Sequence, residues 1–144
     1  MPAYLKTSGS RLHVVVPLKR DVEFDEVRSL ARQIAEDVVA QDAKHRTVKT
    51  LKSERHGRVY IDTNRNAYAQ TIAPAYAVRA RAGAPVSVPI SWSELKGKAL
   101  RPDGINIHTI FTRLEKTEDP WKDSWKNTVS LAKVSREIEE RHAA

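Results

Sequence analysis

The sequence predicts an α+β fold. Three observations lead there: short β-branched runs closed by Pro and Gly, one long amphipathic stretch, and an order that interleaves them without regular strand–helix–strand repeats.

The first run, residues 12–18 (LHVVVPL), reads as a strand closed by Pro17, just after a Ser8-Gly9-Ser10 turn. Alternation sets Arg11, His13 and Val15 on one face and Leu12, Val14 and Val16 on the other. Residues 21–41 follow as an amphipathic helix with Phe24, Val27, Leu30, Ala31, Ile34 and Val38 along one stripe. Asp21 is the expected N-cap, and Glu23, Asp25 and Glu26 complement the positive end of the helix dipole. Gly57 precedes a second strand over residues 58–62 (RVYID), with Val59 and Ile61 toward the core and Arg58, Tyr60 and Asp62 away from it. A third extended stretch, residues 76–81, sets Arg79 and Arg81 opposite Tyr76 and Val78. Residues 82–90 carry Gly83, Pro85 and Pro89 and read as an extended edge segment. Ser91-Trp92-Ser93-Glu94 matches a capping box, and Asp119-Pro120 is read as opening a last helix with Trp121, Trp125, Thr128 and Leu131 on one side.

The 144 residues suit a single domain, 1–144, with one hydrophobic core. No apolar run approaches the roughly 20 residues of a membrane span, and no signal-peptide plan precedes the first strand. The absence of cysteine excludes disulfides and thiolate metal sites, and a cytoplasmic, nucleoid-associated home without membrane contact is expected. The histidines are scattered without ligand spacing. Net charge is +7, which favours a polyanionic partner. Its distribution says more. Lys6, Arg11, Lys19 and Arg20 are unopposed by acids in residues 1–20, and residues 44–58 hold Lys44, Arg46, Lys49, Lys52, Arg55 and Arg58 against Glu54. Residues 21–42 between them are acidic.

Three extended segments thus present Arg11 with His13, then Asp62, then Arg79 with Arg81 on the faces opposite their apolar residues. One carboxylate among cations, beside a Ser-Gly turn, suits a metal-bound triphosphate. The carboxylate holds the metal, while cations and backbone N–H groups hold phosphate oxygens. A basic surface of structural side chains is the plainer reading of the same residues.

Lys6-Thr7-Ser8-Gly9 followed by residues 12–18 resembles the second motif of the polymerase domain of bacterial DNA ligase D, in the archaeo-eukaryotic primase superfamily. Residues 55–62 (RHGRVYID) with Arg65-Asn66 are similar to its third motif. Ala73-Pro74, Tyr76, residues 78–81 and 83–86, Trp92, Glu94-Leu95 and Asp119-Pro120-Trp121 extend the likeness over about residues 4–121. The resemblance implies a primase-like mixed or antiparallel sheet with flanking helices. It implies that Ser8, His13, Arg55 and Arg79 contact an incoming triphosphate, with Arg11 in the motif's basic place, and that Asp62 is a catalytic, metal-binding carboxylate. The implied activity is gap filling with NTP or dNTP at broken DNA ends in non-homologous end joining, supported by Mn²⁺ or Mg²⁺. The implied partners are DNA ends bearing a 5′-phosphate, a Ku protein and ligase modules.

Two departures accompany the likeness. The family's second motif carries a glycine between its basic residue and the leucine, and Ser10-Arg11-Leu12-His13 lacks it. The family's first motif, a strand ending in Asp-x-Asp, is absent, and the acids at Asp21, Glu23 and Asp25 read as helix-start residues. The chain is therefore expected to be the later half of such a domain, truncated at its N-terminal side and inactive alone unless a partner supplies further carboxylates. The alternative is a non-catalytic remnant or subunit that binds nucleotide or DNA ends. A single-strand binder would explain the charge but not the motif order.

Overall fold

The computed structural model describes residues 1–97 and 99–143. It is a mixed α/β fold in which the chain forms two compact units. The first combines Met1–Lys19 with Ala73–Ser130, and the second combines Arg20–Ile72 with Leu131–Ala144. Among the described residues, no helix is long and apolar enough to cross a membrane.

The first unit is built on a three-stranded antiparallel sheet. Strand β1 (Tyr4–Thr7) lies between β2 (Leu12–Val15) and β5 (Pro89–Ile90). Register pairs Lys6 with His13 on one side and with Pro89 on the other. Val86, Val88 and Ile110 form the buried core, with Ile105 packed against it, and Ile110 opens helix α2 (Ile110–Lys116). Three features of this unit depart from the sequence expectation. Strand β1 has no counterpart among the expected elements. Strand β2 stops at Val15, before Pro17, and Leu18 makes only an isolated bridge to Val129. Helix α2 falls where none is expected. Pro85 to Ile90 are all buried, yet β5 is an outer strand of the sheet, which is where Pro89 costs no ladder bond.

The alternation in β2 is as read, but its apolar face is not core. Leu12 and Val14 are 44% and 59% exposed, while their cross-strand partners Thr7 and Leu5 are buried. β2 is an outer strand, and the packing that covers β1 does not extend over it. The Ser91–Glu94 capping box forms as expected, with the Glu94 carboxylate accepting from the Ser91 N–H at 2.7 Å, and it opens a 3₁₀ helix over Trp92–Lys96. Arg113 of α2 reaches the same carboxylate with two donors, at 2.7 and 3.1 Å, and donates to the Pro89 carbonyl at 3.0 Å. Asp119-Pro120 does not open a helix. The Asp119 carboxylate accepts the Trp121 N–H at 2.8 Å in a turn, Ser124–Lys126 is a 3₁₀ helix, and Trp125 is 70% exposed.

In the second unit, helix α1 (Phe24–Ala40) starts two residues later than the Asp21 cap implies. Glu23 is the N-cap and closes a capping box with Glu26, whose carboxylate accepts the Glu23 N–H at 2.9 Å. Leu30 of the expected stripe is buried together with Ala35, which lies outside it, whereas Phe24 is exposed and meets Tyr68 edge to face. The last helix, α3 (Leu131–Ala143), buries Leu131, Val134 and Ile138 and contacts α1. Strands β3 (Arg46–Thr47) and β4 (Val59–Tyr60) form a parallel pair. This pairing reverses the expected facing of residues 58–60, while Ile61 is half-buried and Asp62 exposed as expected. Val59 is level with Arg46 and 63% exposed, and Tyr60 is level with buried Thr47 and half-buried. Paired residues in a ladder share a face, so the partner strand β3, which no sequence signal marks, decides which side of β4 is inward.

Candidate functional site

The candidate residues fall in both units: Ser8, Arg11, His13 and Arg79 in the first, Arg55 and Asp62 in the second.

In the first unit, the turn between β1 and β2 places Ser8 and Gly9 against the segment carrying Arg79. Gly9 has φ +79°, a left-handed conformation suited to glycine, and a β-carbon there would lie 3.1 Å from Arg79 Cγ. Ser8 is buried, and both its N–H and its hydroxyl donate to the Arg11 carbonyl, at 3.0 and 3.2 Å. The Gly9 N–H donates to the Pro102 carbonyl at 2.9 Å. These two amides therefore close the turn, and attraction for an anion falls to the cations around it. Arg11 is exposed, and His13 is half-buried as the cross-strand partner of Lys6.

Arg79 is half-buried, held by its N–H to the Pro85 carbonyl at 2.8 Å. Its side-chain Nε is buried and meets no acceptor among the described residues. A buried donor without an acceptor costs about 1–3 kcal/mol. The expected pairing of Arg79 with Arg81 on one strand face does not form. The Arg81 N–H folds back to the Arg79 carbonyl at 2.8 Å, which ends the extended run, and Arg81 is exposed.

The sequence marks Lys6 as a letter of the second motif and as one cation of the basic segment 1–20, yet it is one of the most buried side chains among the described residues, 2% exposed. Burial, and secondarily the Arg79 charge, lower its ammonium to a pKa of about 8. A lysine inside an otherwise strand-forming run is the one available signal.

In the second unit, Arg55 donates to the carbonyls of Lys49 at 3.2 Å and Thr50 at 2.6 Å, and its guanidinium lies 4.0 Å over the Tyr60 ring. The Tyr60 hydroxyl accepts from Asn64 Nδ2 at 3.1 Å. The Asp62 carboxylate accepts the Asn64 N–H at 3.1 Å, the local turn expected of an aspartate followed by a 3₁₀ helix, and Asp62 is exposed. Arg55, Tyr60, Asn64 and Asp62 thus form one local cluster, which also accounts for Tyr60 facing inward. Among the described residues no three of His, Asp and Glu gather as they would around a metal ion. A two-metal centre needs several carboxylates, so the described residues by themselves do not fit one.

The antiparallel sheet of the first unit thus carries buried Lys6 and half-buried Arg79 beside its first turn. The structure superposes on the polymerase domain of Mycobacterium tuberculosis ligase D solved in complex with DNA, with a TM-score of 0.78 and 27% sequence identity, covering 88% of this chain and 44% of that one. Residues 1–121 match the LigD primase-polymerase domain family, and the chain belongs to it. It is similar to the multifunctional non-homologous end joining protein LigD of Pseudomonas aeruginosa, 34% identical over 124 residues, or 84% of this chain and 15% of that protein. It is also similar to the bifunctional non-homologous end joining protein LigD of Bacillus subtilis, 28% identical over 127 residues, or 87% of this chain and 21% of that protein. The chain thus spans about a fifth or less of these curated relatives.

Proposed function

We propose that this chain is the triphosphate-holding part of a DNA-end polymerase of non-homologous end joining, and that the 144-residue polypeptide by itself binds nucleotide without extending DNA. The observation that carries this reading is Arg79: a half-buried guanidinium with an unsatisfied buried Nε, beside a glycine turn, in a chain of the primase-polymerase family. Within the first unit, Arg79 and Arg11 supply positive charge, and His13 a ring donor, to phosphate oxygens, with Ser8 shaping the turn. Within the second unit taken by itself, Arg55, set over Tyr60, offers a guanidinium to phosphate, and Asp62 offers a carboxylate to a metal ion. Neutralising developing phosphate charge is the main protein contribution to phosphoryl transfer. DNA ends are the second partner, supported by the solved relative in complex with DNA and by the basic segments of this chain. NTP or dNTP is the substrate class, and Ku and ligase modules are the proposed companions.

Calorimetric titration with ATP and Mg²⁺ tests the reading. The wild type is expected to bind. Arg79→Ala is expected to lose on the order of 1.5–3 kcal/mol, the worth of a charge-assisted phosphate contact. Equal binding by both proteins, or none by either, would overturn it.

A further inference from the structure

Lys6 holds a place that stability alone does not explain. Its side chain is almost wholly buried, and its ammonium donates to the Ala73 carbonyl at 2.6 Å and to Ser87 Oγ at 2.9 Å. A buried cation held by neutral acceptors is costly to keep, and an apolar side chain of similar length would fill the same space without that cost.

What the ammonium does hold together is specific. Ser87, fully buried, extends the network by donating its hydroxyl to the Thr7 carbonyl at 2.8 Å. Thr7 Oγ1 accepts the Val88 N–H at 3.2 Å, and the Thr7 N–H donates to the Val88 carbonyl at 2.9 Å. Thr7 is the residue immediately before Ser8 and Gly9. The Ser87 N–H donates to the Ala77 carbonyl at 2.9 Å, two residues from Arg79. Lys6, Ser87 and Thr7 therefore tie the start of the Ser8–Gly9 turn to the segment from which Arg79 projects. Among the described residues, Arg79 is the charge that acts on Lys6 and His13 is its cross-strand partner, and neither is an acid.

We propose that Lys6 is a positioning residue for a triphosphate: through Ser87 and Thr7 it sets the register between the Ser8–Gly9 turn and Arg79. The proposal rests on the reading that this unit binds a triphosphate. It assigns Lys6 no contact with the ligand.

The test uses the full chain, inorganic tripolyphosphate and ATP with Mg²⁺ as probes, and the variants Lys6→Met, Ser87→Ala, Arg79→Ala and Lys6→Met/Arg79→Ala. Thermal unfolding is expected to show Lys6→Met as stable as the wild type or more so. Its affinity for tripolyphosphate is nonetheless expected to fall about tenfold, with Ser87→Ala falling in the same direction, as residues in one network do. Because Lys6 acts through Arg79, the double variant is expected to bind no more weakly than the weaker single variant. The NMR signal of Arg79 Nε–H is expected to shift in Lys6→Met before any ligand is added, which a purely space-filling role would not produce. If Lys6→Met does not fold, Ser87→Ala carries the same readings. Folded variants that bind as the wild type does and leave the Arg79 signal in place would overturn the proposal and leave the functional reading standing. Failure of the wild type to bind either probe would overturn that reading and this proposal with it.

Discussion

Gly9 and Arg79 are packed so closely that no side chain fits between them. A β-carbon on Gly9 would lie 3.1 Å from Arg79 Cγ and 2.9 Å from Pro85 Cγ, on a backbone with φ +79°. Both the space and the dihedral therefore demand glycine. Gly9→Ala is expected to destabilise the chain by about 1–3 kcal/mol from the left-handed backbone and the overlap together. It is also expected to displace Arg79. Thermal unfolding and calorimetry with ATP read the two effects, and a Gly9→Ala protein with wild-type stability would contradict this packing.

The Lys6 ammonium makes stability depend on pH in an unusual direction. Its folded pKa, about 8, lies below the ordinary lysine value of 10.5, so the unfolded chain binds more protons between those values. Stability from this residue therefore rises as pH increases from about 8 to 10.5, and is at its lowest below 8, where the folded state carries a buried charge. The span is on the order of 2–3 kcal/mol. Other groups titrate in the same window, so the measurement is the difference between wild type and Lys6→Met in urea unfolding across roughly pH 7 to 10.5. The difference is expected to narrow in favour of the wild type with rising pH. A constant difference would mean that the ammonium is hydrated.

DNA binding is expected to be salt-sensitive with little sequence preference. The six cations of residues 44–58 divide by structure. Arg46, Arg55 and Arg58 donate to main-chain carbonyls and are half-buried, while Lys44, Lys49 and Lys52 are exposed. The three lysines are the ones to meet phosphates. Replacing them with alanine is expected to flatten the log affinity–log salt slope by about 0.9 for each phosphate no longer neutralised. Fluorescence anisotropy with a DNA bearing a 5′-phosphate overhang, between low and moderate salt, measures it. An unchanged slope would place the phosphate-binding residues elsewhere.

Primer extension by the 144-residue chain, with gapped DNA, nucleotides and Mn²⁺, is expected to be negligible. Asp62 brings one carboxylate, and two cations cannot be held on one. Adding a polypeptide that carries an Asp-x-Asp strand is expected to restore extension, and Asp62→Ala to remove it again. Robust extension by the chain alone, abolished in Asp62→Ala, would place the missing carboxylates within these residues, with Asp21, Glu23 and Asp25 the first to test.

The sequence by itself determined the family, the α+β class, the long helix and the Ser91–Glu94 capping box. Each of these is written in local signals: a motif order, a helical period and a cap spacing. It did not determine which side of a strand is inward. Val59 faces out because its partner in β3 is Arg46, and Leu12 and Val14 are bare because β2 is an outer strand. A two-residue alternation carries no information about either neighbour. Nor did it separate the cations. Arg79 is legible through its motif, whereas the burial of Lys6, its link to Ser87 81 residues away, and the bond from the Gly9 N–H to the Pro102 carbonyl arise only in the folded unit. Those interactions are long-range and use neutral acceptors, and such pairs leave no periodicity or charge pattern along a chain. Tertiary packing alone decided which lysine would be stripped of water and set beside the arginine.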